Sequence, residues 1–366
     1  MENKSEQLGQ TAGGASATSS SQLNSSTPQV VLWSRYKRIQ ELITGPILPL
    51  VVLIGPLQCT TWVQRIIREQ MKQIRQQAAQ STSVHDLQET SKHNIRIKCY
   101  EFYNTYRSAQ NPDGQLEMPP FYKEQQYGFN GGIFKKHANQ HELGHIKLRF
   151  FDSITVYKPA VTVMIFDWQT QSAASFDWPR CENKILEEVK NFQERCAVTA
   201  KDTRIILLIM LPLSGETPVD KCRTSLKNAL QQSQQNHDEN TGLGVKQVLM
   251  MPKGIEGLRS NPKDFIKKLT EQCSQFYANK KRDIKAKQRR LINKEQTEHV
   301  RYFFKIGIYS QLSKGDLLGS MKHIKQAYDD LRASTTTGAL LSKQVLEERR
   351  ENADIIMVQL LVYLLD

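Results

Sequence analysis

The chain has no Cys-x-x-Cys pair. Its six cysteines, Cys59, Cys99, Cys181, Cys196, Cys222 and Cys273, stand far apart, which argues against a structural zinc site. The N-terminus opens MENKSEQLGQ, with no basic segment running into an apolar core, so it does not read as a secretory signal. Without such a signal the cysteines are expected to be reduced thiols in the cytoplasm. Long apolar runs are also missing. The longest, Ile355 to Leu365, is interrupted by Gln359 and spans eleven residues, about 16 Å as a helix against about 30 Å of bilayer core. It is expected to be a buried helix rather than a membrane anchor. No Gly-x-Ser-x-Gly elbow occurs, and the eight histidines form no evident pair with the cysteines, so nothing points to covalent catalysis. Acidic residues are in deficit. Asp and Glu number 37 against 50 Lys and Arg, a net charge of +13 that favours an acidic partner, an anionic lipid or nucleic acid.

What is present is ordinary globular composition, 39% hydrophobic and 24% charged over 366 residues, enough for two or three domains. Residues 1–28 are rich in Ser, Thr, Gln, Gly and Asn and are expected to be disordered, because they bury too little surface to offset chain entropy. Order is expected from about Val30. Residues 29–260 alternate apolar runs with amphipathic stretches. Strands are predicted at Leu50–Ile54, Ile95–Phe102, Ala160–Phe166, Arg204–Leu211 and Val245–Met250. Helices are predicted after Thr60 or Thr61 as cap, with Trp62, Val63, Ile66, Ile67 and Ile74 on one face, and at Glu182–Phe192 and Val219–Gln231. Alternation of this kind implies an α/β domain with a mostly parallel sheet, flavodoxin- or Rossmann-like. Residues 261–366 change character. Four helices are predicted, Lys263–Asn293, Gln296–Leu312, Asp316–Ala333 and Leu340–Leu365, broken at Lys314-Gly315 and at 334–338. Short turns between long helices imply antiparallel hairpins, and Ser320, Ile324 and Ala327 place small, large and small residues as in a tetratricopeptide-like solenoid.

Three segments carry possible chemistry. His141-Glu142-Leu143-Gly144-His145 fits the His-Glu-x-x-His pattern, in which a helix presents two histidines to zinc and the glutamate acts as general base. A catalytic site needs a third ligand, yet Leu148 and Phe151 stand where the metzincin pattern has Gly and His. Ile146, Leu148 and Phe150 alternate with Lys147 and Arg149, a strand period rather than a helical one. His141, Glu142 and His145 are therefore read as a decoy in a polar loop, and no metal or other cofactor is expected. Gly55-Pro56-Leu57-Gln58-Cys59-Thr60-Thr61 lies where a phosphate loop would, but lacks the second glycine and the lysine, and reads as a plain βα turn. The third segment is a basic stripe: Lys280, Lys281, Arg282, Lys285, Lys287, Arg289, Arg290 and Lys294. With no aromatic interleaved, it suits a partner protein or an anionic membrane better than nucleic acid.

The order of these segments resembles the foie gras family of the trafficking protein particle (TRAPP) complex. Lys158-Pro159-Ala160-Val161-Thr162-Val163-Met164-Ile165-Phe166-Asp167-Trp168, an amphipathic helix, then Thr203-Arg204-Ile205-Ile206-Leu207-Leu208-Ile209 is similar to a strand–helix–strand of that family. Gly132-Ile133-Phe134-Lys135-Lys136 looks like an element upstream of it. The strongest match is Phe265–Ala333, around His299-Val300-Arg301-Tyr302-Phe303-Phe304-Lys305-Ile306-Gly307 and Met321-Lys322-His323-Ile324-Lys325-Gln326-Ala327-Tyr328. The similarity covers residues 120–365, and these are packing motifs with no catalytic residue among them. The resemblance implies a non-catalytic scaffold subunit of a vesicle tether in endoplasmic reticulum–Golgi traffic and autophagy. Its implied partners are the small core subunits and, through them, a Rab-family GTPase. Its implied place is the cytoplasm, peripheral to Golgi and intermediate membranes. The alternatives are a zinc hydrolase using His141, Glu142 and His145, or an RNA- or lipid-binding adaptor using the basic stripe.

Overall fold

A computed structural model of the chain describes residues 47–80, 95–102, 149–171, 176–196, 200–212, 219–235, 244–290, 296–336 and Ile356. Five strands, β1 (Leu50–Ile54), β2 (Arg96–Tyr100), β3 (Val161–Asp167), β4 (Arg204–Met210) and β5 (Val245–Met251), form one sheet in the order β2-β1-β3-β4-β5. Every pairing is parallel. The expected strands are therefore all present, with ends shifted by one or two residues. The middle strands β1, β3 and β4 are mostly aliphatic and buried except at Asp167, which ends β3, and Arg204, which starts β4, as a sheet covered on both faces requires. The edge strands also carry lysine and arginine, Arg96 and Lys98 on β2 and Lys246 on β5, which discourages pairing with another chain.

The strand order reverses between β1 and β3, and right-handed crossovers then place the helices on opposite faces. One face buries Leu50, Val52, Ile54, Met164, Phe166, Ile205, Leu207 and Ile209. Against it lie α3 (Trp178–Arg195), through Cys181, Ile185, Val189 and Phe192, and α4 (Val219–Gln235), through Cys222, Leu226 and Leu230. The alternate residues, among them Val51, Leu53, Val163, Ile165, Ile206 and Leu208, are also fully buried and face the other way. On that side α1 (Leu57–Ala79) packs on β1 and β3, with α5 (Gly254–Ser260) beside it. The long α6 (Pro262–Arg289) crosses β3 and β4 there.

Two local expectations are corrected. Thr60 and Thr61 do not cap α1. The helix already starts at Leu57, behind Pro56, and both hydroxyls donate to the Leu57 carbonyl, at 2.9 and 2.8 Å. Val63, Ile66 and Ile67 are buried as expected, while Trp62 and Ile74 are only half-buried. Of the alternation from Ile146 to Phe150 only Arg149 and Phe150 are among the described residues, and they are not extended: Arg149–Asp152 is a helical turn, α2, continuing as a π-helical turn at Ser153–Tyr157. The reason is that Phe150, Phe151 and Ile154 must all be buried, a helical spacing that a strand cannot bury on one face. Phe150 and Phe151 meet Phe304 edge-on at 6.3 and 5.9 Å, and Phe150 meets Tyr309 at 5.8 Å. Each such ring pair adds about 0.5–1.5 kcal/mol beyond area burial.

The C-terminal helices are α6, α7 (Gln296–Lys314) and α8 (Leu317–Thr336), packed α6 on α7 and α7 on α8. Gly315 ends α7 with φ +61°, its N–H donating to Gln311 at 2.8 Å, and Asp316 caps α8 by accepting from the Gly319 N–H at 2.8 Å. Ser320, Ile324 and Ala327 are completely buried. Ser320 and Ile324 face Gly307, where an added Cβ would lie 2.6 Å from Ile324 Cγ1 and 3.0 Å from the Ser320 carbonyl. Small residues thus set the spacing of the α7–α8 seam. The structure shows helices packing together, and no repeated solenoid unit among the described residues. The expected tail at 1–28 and most of the helix predicted at Leu340–Leu365 fall outside them. Ile356 is helical and buried. No described helix is long and apolar enough to cross a membrane.

Candidate electrostatic interface

Two places in this fold position polar chemistry. The first is the crevice at the carboxyl ends of β1 and β3, where the strand order reverses and where open parallel sheets take their ligands. Gly55 opens the turn there. A Cβ at this position would sit 2.6 Å from the Ile165 carbonyl, so only glycine lets β1 run so close to β3. The Gly55 N–H donates to the Tyr100 carbonyl at 3.1 Å, so this amide does not face the crevice as a phosphate cradle would need. Asp167, at the end of β3, is surrounded by donors. It accepts from the Cys59 thiol at 2.8 Å, from the Gln169 N–H at 3.0 Å and from Gln169 Nε2 at 3.3 Å. Gln169 Oε1 in turn accepts the Ile255 N–H at 3.2 Å, which pins the start of α5 over the crevice. Gly254 reaches this position with φ +52°, where a Cβ would lie 2.4 Å from the same Oε1.

Burial, and then the Asp167 hydrogen bond and charge, push the Cys59 thiol up to about 12. It is a buried donor and a poor nucleophile at neutral pH. Burial likewise raises Cys273 to about 12 and Cys99 and Cys181 to about 11. All six cysteines are free thiols. Nothing in the sequence links Cys59 to Asp167, 108 positions away. His141, Glu142 and His145 lie outside the described residues. Among the described residues, no group of three or more His, Cys, Asp or Glu side chains could hold a metal ion.

The second place is α6. Asn261 caps it by accepting the Asp264 N–H at 3.4 Å, Pro262 fills the first turn, and Asp264 pairs with Lys268 at 2.6 Å. Phe265, Ile266, Leu269, Thr270, Cys273, Phe276 and Tyr277 are buried. Beyond Tyr277 no residue of α6 is fully buried, and the basic stripe begins where packing ends. The stripe divides into three. Lys280 lies over the Phe276 ring at 5.6 Å and forms an ion pair with Asp202. With Lys287 it faces the amino end of the sheet, where both charges act on Lys158. Lys281 and Lys285 face α8, where their charges act on His323 together with that of Lys322. Arg282, Arg289 and Arg290 are exposed, and Arg282 donates to Asn279. Lys294 lies outside the described residues.

The fold adds cations that a linear reading of the stripe does not reveal. Thr203 Oγ1 donates to the Pro159 carbonyl at 2.8 Å and the Arg204 N–H donates to the Ala160 carbonyl at 3.2 Å, which sets Lys158 and Asp202 side by side ahead of β3 and β4. Arg204 reaches up to α6, donating to Gln272 at 2.6 Å and to Gln275 at 2.7 Å. Burial lowers the pKa of Lys158, and the neighbouring Lys280 and Lys287 charges lower it further, against the pull of Asp202. Burial lowers Arg204 as well, and Lys246 is lowered by burial and by Arg204. Among the described residues this corner carries more cations than carboxylates, with Asp202 the acidic group acting on Lys158.

Compared with protein-family models and with curated proteins, the chain finds no match in either.

Proposed function

We propose that the chain is a non-catalytic docking subunit of a TRAPP-type vesicle tether, as its resemblance to the foie gras family implies. In this reading an α/β domain of flavodoxin-like strand order carries the beginning of a tetratricopeptide-like helical array. The small core subunits bind the helical part, and a Rab-family GTPase is engaged only through them. The observation that carries the reading is the α6–α7–α8 unit. The segments with the strongest resemblance supply its packing residues, Val300, Phe304, Ile306 and Ile308 on α7 and Ile324 and Ala327 on α8, all of them buried. In this reading these positions of the quoted motifs serve packing of the helical unit.

Affinity capture of the tagged chain from native extract tests this. Small TRAPP core subunits are expected to copurify in stoichiometric amounts, and their loss on Gly307→Val would tie the contact to the helical seam. A clean monomer without those partners would overturn the reading. Stoichiometric zinc in the purified protein, lost on His145→Ala, would replace it with the hydrolase.

A further inference from the structure

We propose that the carboxyl-terminal half of α6, with Lys158 at the amino end of the sheet, docks on a membrane surface bearing anionic phospholipid. The inference deepens the docking role above and rests on it, since it names the surface on which such a subunit would sit.

The first observation is an unbalanced cluster. Lys158, Lys280 and Lys287 come together from two elements distant in sequence, and Asp202 is already paired to Lys280. Lys158 is half-buried, so its ammonium loses hydration, while the carboxylate that acts on it, Asp202, is already engaged by Lys280. An arrangement of this kind is costly in the unbound protein and is relieved by an incoming anion. A phospholipid phosphate supplies that anion.

The second observation concerns the outer face of the helix. From Asn279 to Arg290 every exposed residue is polar or charged except Ala286, and Arg282, Lys287, Arg289 and Arg290 outnumber Asp283. Protein interfaces hold together through buried aromatic or aliphatic anchors surrounded by a polar rim. This face offers a rim with no anchor. Single-stranded nucleic acid is held by aromatic platforms, and α6 has none beyond Tyr277. Attraction that needs neither pocket nor anchor is what a charged bilayer provides, and each Lys or Arg near such a surface contributes independently.

The test is cosedimentation of the full chain with phosphatidylcholine vesicles, with and without phosphatidylserine. Binding is expected only with the anionic lipid and is expected to weaken steeply as salt rises. The triple variant Lys287→Ala/Arg289→Ala/Arg290→Ala should bind about fivefold more weakly per charge removed. It should melt like the parent, because alanine favours helix and these side chains are not buried. Lys287→Arg/Lys158→Arg should retain binding. Equal binding to neutral vesicles, or a triple variant that binds as the parent does, would overturn the proposal. Tighter binding to single-stranded RNA than to the vesicles, lost in the same variant, would also overturn it. Failure here with core subunits still copurifying would leave the scaffold reading standing. Vesicle binding without those partners would do the reverse.

Discussion

The two ends of the parallel sheet treat polar groups in opposite ways. At the carboxyl end, Asp167 takes donors from Cys59 and Gln169, Gln169 holds the Ile255 N–H, and Gly55 lies against the Ile165 carbonyl. The Asp167 carboxylate there is met by short-range hydrogen bonds, and Gln169 ties it to the start of α5. At the amino end, Lys158, Arg204, Lys246, Lys280 and Lys287 gather around few carboxylates, and a half-exposed helix carries more cations outward. The first end is finished within the chain. In the docking proposal the second is completed by an anionic surface. Substitutions should therefore cost stability at the carboxyl end and alter binding at the amino end.

The largest effect is expected at Gly55. In Gly55→Ala the new methyl meets backbone of β3, which cannot rotate away as a side chain can. Overpacking of this kind costs about 1–3 kcal/mol, and the immovable partner places this variant near 3. Urea denaturation of the parent and variant measures it. An unchanged midpoint would mean that β1 and β3 can spread apart at the switch point, and the contrast between the ends would lose its first term.

Gly307→Ala serves as a control at the α7–α8 seam. The added Cβ would lie 2.6 Å from Ile324 Cγ1 and 3.0 Å from the Ser320 carbonyl, both on α8, so that helix must shift outward by a few tenths of an ångström. Alanine also regains about 1 kcal/mol of helix propensity. A net loss of about 1–2 kcal/mol is expected, below that at Gly55. If Gly307→Ala cost more, tight packing would be general to the molecule rather than a property of the carboxyl end.

At the amino end, Asp202→Asn and Lys158→Met should move in opposite directions. Removing the carboxylate breaks a half-exposed ion pair and leaves the cations facing one another. The loss is expected at about 0.5–1 kcal/mol, since exposed pairs contribute little. Vesicle binding should strengthen. Removing Lys158 relieves repulsion and a partly desolvated ammonium, so stability should hold or rise while vesicle binding weakens. Parallel melts and sedimentation assays on both variants check the pair of signs.

How much of this was legible in the sequence differs between the same two ends. The strands at Leu50–Ile54 and Arg204–Leu211 announce themselves because continuous aliphatic runs bounded by Gly-Pro or Pro have few other uses. Gly55-Pro56 is recognisable as a βα turn, yet what makes the glycine necessary is the backbone of β3, 110 positions away. The Cys59–Asp167 bond is of the same long-range kind. The basic stripe is visible as composition, whereas its division into three faces depends on where α6 leaves the core, after Tyr277. Lys158 could be read only as the residue ahead of a strand, since its cationic neighbours arrive with α6. The helical turn at Arg149–Asp152 was hidden by a short alternation of charged and apolar residues, overruled by aromatic burial against α7.

The smallest effect expected is on pH dependence, and it probes the second flank of α6. His323 stacks on Phe303 at 6.3 Å, with Lys281 and Lys285 facing it from α6, Lys322 beside it on α8 and Asp316 as the opposing charge. Burial lowers its pKa, and the three lysines lower it further than Asp316 restores it. The unfolded chain thus binds a proton more readily than the folded one. Stability should be full above the ordinary histidine range and should fall as pH drops through it. In His323→Gln this part of the pH dependence should vanish, leaving the rest of the profile unchanged. Lys285→Gln should reduce it without abolishing it, because burial, the larger cause, remains. Chemical denaturation across the histidine range on the three proteins reads the difference. A profile unaltered by His323→Gln would show that this flank carries no coupled charge, and the cationic surface would then narrow to the amino end of the sheet and the outer face of α6.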